Sequence, residues 1–198
     1  MARYFPERDK WDRRYRQSDG RSAQPARVLS ENLHLLSAAG RALDLACGLA
    51  GNAFQLAECG LEVWAWDFSP VAIERVRQEV LARGLTVKAE VRDVVQRPPE
   101  PEGFDVIVVS RFLERALAPR LVAALRPGGL LFYQTFTRTR VDDTGPDNDA
   151  YRLADNELLR MFASLQVLVY REEGRVGDIR CGFRNEAMLV ARKTVAGQ

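Results

Sequence analysis

Cysteine is scarce in this chain: Cys47, Cys59 and Cys181 are the only three in 198 residues, and no two form a Cys-x-x-Cys pair. That excludes a disulfide framework and a cysteine zinc site, and it fits reduced thiols in the cytoplasm. Histidine is scarcer still. His34, the single one, falls ahead of the core and reads as a structural or surface residue rather than a general base. No metal is expected. No apolar run approaches the roughly 20 residues of a membrane span, and the stretch MARYFPERDKWDRR lacks the apolar centre of a secretory signal. Charge of one sign is also missing. The formal net charge of +2 is too small for a dedicated nucleic-acid binder, although residues 1–27 carry eight basic and four acidic side chains. Such a basic arm either meets an anionic partner or is a solvated helix face, and the second is the default reading.

What is present is a core. Hydrophobic residues make up 46% of the sequence, which argues against disorder, and the length suits one domain without a covalent staple. The expected organisation is a single domain over 1–198, with an N-terminal helical cap over 1–39 and a core from 40 onward.

The first 40 residues read as helical and polar. Trp11 and Tyr15, four apart, share a helix face. PARVLSENLHLLSA predicts a second helix with Val28, Leu29, Leu33, Leu35 and Leu36 toward its buried side, ended by Gly40. A regular alternation then starts. RALDLAC is a short strand, NAFQLAECG a helix closed by Gly60, and LEVWAWD a strand. Ser69 and Pro70 open the next helix as N-cap and first-turn proline. VAIERVRQEVLARG sets Ile73, Val76, Val80 and Leu81 near one face. LTVKAEVRD alternates as a half-buried strand does, and VVQRPPEPEG must be loop. FDVIVVS has the continuous β-branched character of a central strand. RFLERALAPRLVAALRPGG reads as helix, broken or restarted at Pro119, and LLFYQTF as strand. In the tail, TRTRVDDTGPDNDAYRLA is loop, Asp155 is placed to cap the helix NELLRMFASL, and SLQVLVYREE and NEAMLVARK are two strands forming an antiparallel hairpin. The alternation implies a doubly wound α/β sheet with right-handed crossovers. Ligands bind such sheets at the carboxyl ends of the strands.

The chemistry-bearing residues fall at those ends. Ala46-x-Gly48-x-x-Gly51 is a variant of the GxGxxG loop, and Asp67, 19 residues after Gly48, stands where a dinucleotide fold places its ribose acid. The loop alone therefore leaves NAD open. Asp44, before the loop, argues otherwise. A ligand without a pyrophosphate needs fewer glycines, so Ala46 and Ala50 are tolerable provided both hold φ below zero. Gly48 and Gly51 keep the freedom where backbone turns or approaches closely. Asp67 can accept hydrogen bonds from both hydroxyls of a ribose. Asp93 ends the third strand, Ser110 and Arg111 end the fourth, and LRPGG is a glycine turn before the fifth.

Asp44, the ALDLACGLAGN loop, Asp67, Asp93 and the LRPGGLLFYQTF turn, in that order, resemble the class I S-adenosylmethionine-dependent methyltransferases over roughly residues 40–193. The resemblance implies a mostly parallel seven-stranded Rossmann-like sheet with an antiparallel C-terminal hairpin, and S-adenosyl-L-methionine as cofactor. It implies that Asp44, Ala46, Gly48, Gly51 and Asn52 line the methionine end, Asp67 and Phe68 the ribose, Asp93 and the Val94 amide the adenine, and Ser110 the point where cofactor meets substrate. VVSRFLERAL followed by GGLLFYQTFTR is similar to small bacterial methyltransferases of the tellurite-resistance type. Their versions read nearer to RYLHR and YETFT, so Glu114 and Gln134 stand at a His and a Glu position.

Methyl transfer from a sulfonium needs alignment and exclusion of water more than activation. A thiolate or chalcogen oxyanion needs no strong base, whereas an amine or hydroxyl does. Arg111, Arg115, Arg138 and Arg140 either draw in an anionic substrate or are surface residues of a chain with 26 arginines and three lysines. Tyr15, with Tyr4, Phe5 and Trp11, forms a lid or packs the first helix, and packing is favoured for Trp11 and Tyr15. The expected function is transfer of a methyl group to a small-molecule acceptor, with a thiol, a chalcogen oxyanion or another anionic metabolite as candidates, by a monomer or homodimer with no nucleic-acid or membrane partner. An NAD-dependent oxidoreductase, a non-catalytic S-adenosylmethionine-binding regulatory protein and an RNA methyltransferase using the basic arm are the alternatives.

Overall fold

The computed structural model describes residues 4–18 and 24–194, with side chains from residue 8 onward. Tyr4 and Phe5, as candidate lid side chains, lie outside the described residues. The strands form a seven-stranded sheet in the order β3-β2-β1-β4-β5-β7-β6. The chain divides into two compact units, the first ending at Pro98 and the second beginning at Pro99.

In the first unit α1 (Tyr4–Gln17) and α2 (Arg27–Ser30) precede β1 (Arg41–Leu45), α3 (Gly51–Glu58), β2 (Glu62–Asp67), α4 (Pro70–Arg83) and β3 (Val87–Val91). The strands β1, β2 and β3 are parallel, with Leu45 beside Trp66 and Asp67 beside Val91. Ala42, Leu43, Leu45, Val63 and Ala65 are buried, as expected of strands covered on both faces. The α4 signals act as read: the Ser69 side chain accepts from the Ala72 N–H, Pro70 follows in the first turn, and Gly84 closes the helix in the left-handed region. Ile73 and Val76 are buried and Val80 is half-buried, but Leu81 is 82% exposed, because it falls on the same helix face as the exposed Glu74 and Arg77.

Two expectations ahead of β1 are corrected. The second helix stops after one turn at Ser30, and only a 3-10 turn, Leu33–Leu35, follows. The break has a cause in the side chains. Asn32 is buried and turns its amide back onto the Val28 carbonyl, an alternative to continuing the helix. Val28 and Leu29 are fully buried, whereas Leu33, Leu35 and Leu36 are only half-buried. Gly40, at φ 143°, leads into β1 rather than capping a helix.

The second unit holds β4 (Phe104–Ser110), α5 (Ala118–Ala124), β5 (Leu125–Phe136), α6 (Glu157–Met161), β6 (Gln166–Arg171) and β7 (Glu186–Arg192). β4 and β5 are parallel, while β7 runs antiparallel to both β5 and β6, which gives the expected hairpin. The RPGG turn is a bulge inside β5: Phe104 pairs with Leu125, but Val106 pairs with Leu130. Gly129 is required there, since a Cβ would lie 2.9 Å from the Arg126 carbonyl and 3.1 Å from that of Asp105. The stretch after Ser110 is less helical than expected. RFLE is irregular, a 3-10 turn spans Arg115–Leu117, and Pro119 sits in the first turn of α5, starting the helix rather than breaking it. Asp155 does not cap α6. Its carboxylate accepts from the Thr139 hydroxyl, Asn156 is the residue before the helix, and Glu157 reaches back to the Ala154 N–H.

Candidate functional site

The turn from β1 into α3 is built by hydrogen bonds that the sequence does not display. The Cys47 N–H continues the ladder by donating to the Trp66 carbonyl at 3.0 Å, and the Ala50 N–H donates to the Cys47 carbonyl at 2.8 Å. Meeting both bonds in so short a loop drives three residues left-handed: Ala46 (φ 55°), Gly48 (φ 53°) and Ala50 (φ 59°). The expectation of negative φ at both alanines is therefore corrected. Gly51 has no positive φ and opens α3. An alanine in this region costs about 1–2 kcal/mol, so two of them mark a loop held by its surroundings in a conformation that it would not choose alone.

Asp44 holds the far side of that loop. Its carboxylate is fully buried, and accepts from the Ala53 N–H and the Asn52 side-chain amide, each at 3.1 Å. Asn52 in turn accepts the Ala26 N–H at 2.8 Å, tying the segment before α2 to the helix start. Burial pushes Asp44 up to about 7, against those two hydrogen bonds and with a further push from Asp67. The N-terminus of α3 is thus already filled by a carboxylate. A pyrophosphate, which dinucleotide folds seat at this helix end, would meet an acid instead of free N–H groups. A cation would not.

Asp67 closes the near side. Its Oδ2 accepts the Gly48 N–H and its Oδ1 the Ser69 N–H, both at 2.9 Å. Burial is again the main effect, raising it to about 6. Phe68 follows it, half-buried. Tyr15 of α1 lies against the loop: a Cβ on Gly48 would come within 2.9 Å of its hydroxyl. Its ring stacks on Trp11 with centroids 5.7 Å apart. Burial raises its phenol well above the usual range, with Asp67 the next cause, so it stays an O–H donor. The helix is fastened by Asp12, which accepts from the Ser69 hydroxyl, and by Ser18, which Arg75 grips. Just past β3, Asp93 Oδ1 accepts the N–H groups of Val95 at 2.9 Å and Gln96 at 3.3 Å, and buried Val94 is the residue that this turn encloses, between Asp93 and Val95. One half of the expected set, from Asp44 to Val94, therefore converges at the carboxyl ends of β1, β2 and β3, joined by Tyr15. The sequence offered Tyr15 as a substrate-side lid or as packing for the first helix, and the structure sets it against the Gly48 turn.

In the second unit Ser110 ends β4 in register with Gln134. Arg111 is left-handed at φ 54°. Its Nε donates to Glu186 at 2.9 Å and its backbone N–H to the Gln134 carbonyl at 2.7 Å. Arg115 is a structural clamp: it pairs with Glu157 at 2.5 Å and donates to the carbonyls of Ala150 and Arg152. Arg138 is exposed. His34 is exposed too. Sequence reading missed Glu186, which sits in an ordinary hairpin strand, and Arg152. Arg152 is fully buried and donates to the carbonyls of Thr137, Thr144 and Pro146 at 2.7–2.9 Å, pinning the loop after β5.

The donors and acceptors present suit an adenosyl ligand carrying a positive sulfonium: two buried acids, a close-approach glycine at 48 and no open anion seat. Comparison with known proteins agrees. Residues 42–129 match a family described as a methyltransferase domain. The ubiquinone biosynthesis O-methyltransferase of Xanthomonas euvesicatoria pv. vesicatoria is 30% identical over 135 residues, covering 65% of this chain and 56% of the relative. That of Methylocella silvestris is 35% identical over 104 residues, covering 50% and 41%. The chain spans about half the length of these curated relatives. TehB from Haemophilus influenzae shares the fold at a TM-score of 0.69 and 21% identity, over 93% of this chain and 67% of TehB. A structure described by the conversion of a disulfide bond into a thioacetal group during echinomycin biosynthesis superposes at a TM-score of 0.70 and 25% identity, over 95% and 93%. With the sheet order, the acid-flanked loop and these matches together, the chain is similar to the class I S-adenosylmethionine-dependent methyltransferases and shares their fold.

Proposed function

We propose that this protein transfers the methyl group of S-adenosylmethionine to a small-molecule acceptor. The observation that carries the reading is the carboxylate of Asp44 filling the start of α3, with Asp67 across the loop. That arrangement disfavours a pyrophosphate and favours a cationic ligand. Asp67 takes the ribose hydroxyls, Asp93 and the Val94 N–H the adenine, and the Ala46–Gly48 turn with Asn52 the methionine end. When bound, the cofactor supplies an electrophilic methyl group. The chain supplies orientation and exclusion of water, and the Tyr15 hydroxyl lies over the turn as a positioning donor.

Thermal unfolding with S-adenosylhomocysteine, S-adenosylmethionine and NADH in turn tests this. At 100 times Kd a true ligand adds about 2.7 kcal/mol, a rise of several degrees. A rise with NADH alone would sink the reading. Asp67→Ala should remove most of the rise with the adenosyl ligands.

Two acceptor chemistries have support. The curated relatives are named as O-methyltransferases, which points to oxygen. The echinomycin-pathway neighbour is described by its work on a disulfide, which points to sulfur. A methylation screen with phenols, thiols, selenite and tellurite, read by homocysteine release, separates them.

A further inference from the structure

The loop after β5 carries a guanidinium that the chain leaves without an acceptor. Arg140 is half-buried, its Nη1 is shut off from solvent, and that atom makes no hydrogen bond to any described residue. A buried donor left unmet is costly, and more so when it is charged. The backbone that presents it is nonetheless held firmly. The Thr139 carbonyl accepts the Thr137 hydroxyl at 2.8 Å, the Arg140 carbonyl accepts Arg175 Nη1 at 3.3 Å, and the Val141 N–H donates to Asn185 Oδ1 at 2.7 Å. Asn185 itself is left-handed, at φ 64°, so this stretch tolerates strain to stay in place. Arg140 also adds to a positive field instead of neutralising one. Burial first, and then the charge of Arg140, hold the Arg152 guanidinium below its ordinary range. Asp149, Asp147 and Asp142 act on Arg152 in the opposite sense, but Asp142 is occupied by the Thr144 N–H and the Asn185 amide. Arg175, exposed, brings a further guanidinium to the Arg140 carbonyl. Arg140, Arg152 and Arg175 thus gather in one place, and none of them forms an ion pair among the described residues.

We infer that Arg140 anchors a binding site for an oxyanion, a carboxylate or phosphate group, in the loop at the carboxyl end of β5. A guanidinium fork takes two oxygens of one such anion at once, which a point charge cannot do. The side chain as a whole is half-buried, so the fork is reachable from solvent while Nη1 is shielded from it, and shielding strengthens a charge-assisted bond. The anion completes the donors of Arg140 and offsets the repulsion between Arg140 and Arg152. Arg175, fastened to the same residue through its carbonyl, is placed to close over the bound group. A metal ion or an amine would be repelled by all three side chains. The site lies within the second unit, and it stands apart from the methyl-donor reading because it involves no cofactor. Two sources share its chemistry, a metabolite bearing a carboxylate and a phosphate.

The test uses the full chain with sodium benzoate and sodium phosphate as probes and no added cofactor. Each is titrated by calorimetry in a sodium chloride background of fixed ionic strength, and thermal unfolding is recorded without either probe. The wild type should bind at least one of them. Arg140→Gln should weaken that binding about tenfold while melting no lower than the wild type, since it removes a charge that has no partner. A role in packing alone predicts the reverse, a lower melting temperature with binding intact, and that result overturns the proposal. Arg140→Lys keeps the charge and loses the fork, so its affinity should fall between, and it carries the comparison if the glutamine variant does not fold. Tighter binding of benzoate assigns the site to a carboxylate, and tighter binding of phosphate to a phosphate group. Failure of the wild type to bind either anion overturns the proposal, as does equal affinity in the wild type and Arg140→Gln. None of these results bears on the cofactor, whose melting shift is measured separately.

Discussion

At the scale of single residues, the loop after β1 shows how far side-chain identity underdetermines backbone. Alanine at 46 and 50 suggested ordinary torsions, and both are left-handed, because bonds to Trp66 and Cys47 set the path. Ala46 is only half-buried, so replacing it loses little packing. Ala46→Gly should gain roughly 0.5–1 kcal/mol, the relief of left-handed strain less the entropy of glycine, measured by urea unfolding. Asp44 is the complementary case. Its position was legible from the sequence, but its contacts with Asn52 and Ala53 were not. Asp44→Asn keeps an oxygen for the Ala53 N–H and removes a buried charge, but it turns an amide N–H toward the Asn52 amide that the carboxylate accepts. Relative to the wild type, the variant should fare better at pH 8 than at pH 5 and should bind S-adenosylmethionine more weakly. Denaturant titration and calorimetry check the two halves of that expectation.

At the scale of elements, the strands and the α4 caps followed from local pattern, since burial on both faces and the Ser69–Pro70–Gly84 set are written in consecutive residues. Segments whose conformation depends on a distant side chain did not follow. The helix after Pro25 is cut short by Asn32, and the loop after β5 is organised by Arg152 from within. Arg152 satisfies three carbonyls with one planar fork, also facing the Phe136 ring at 5.7 Å. Lysine offers one point of charge and cannot reproduce that geometry. Arg152→Lys should cost about 2–4 kcal/mol and expose the loop over 137–153 to proteolysis, seen as a new cleavage under native conditions. The attachment of α1 through Asp12, Tyr15 and Ser18 predicts that Tyr15→Ala weakens S-adenosylhomocysteine binding while leaving the melting temperature of the free protein within a few degrees.

At the scale of the whole molecule, two buried carboxyls set a pH dependence. Burial raises Asp44 to about 7 and Asp67 to about 6, both above the unfolded value of 3.8. Between those limits the folded chain keeps protons that the unfolded chain has released, so stability falls as pH rises from about 4 to about 7. Carboxyls that are lowered by hydrogen bonds, such as Glu157 beside Arg115, act at more acid pH and leave this window alone. The free protein should therefore melt higher at pH 5 than at pH 8, with a smaller difference in Asp44→Asn. A cationic ligand favours the ionised acids, so the affinity for S-adenosylmethionine should rise over the same interval. No helix among the described residues is long and apolar enough to cross a membrane.

The sequence alone determined the alternation of strands and helices, the position of the acids at strand ends, and through them the family resemblance. Each of these is a local or periodic property, repeated often enough that single misreadings do not change the sum. Only the tertiary structure decided which groups meet. It turned the alanines left-handed, placed Tyr15 on the loop after β1 and converted Arg115 from a free cation into a clamp. It also brought Glu186, 75 residues from Arg111 in sequence, to the same end of the sheet. Such pairings depend on strand order and register, which no short stretch of sequence encodes, because the energy that fixes them comes from burial and hydrogen bonds between distant segments.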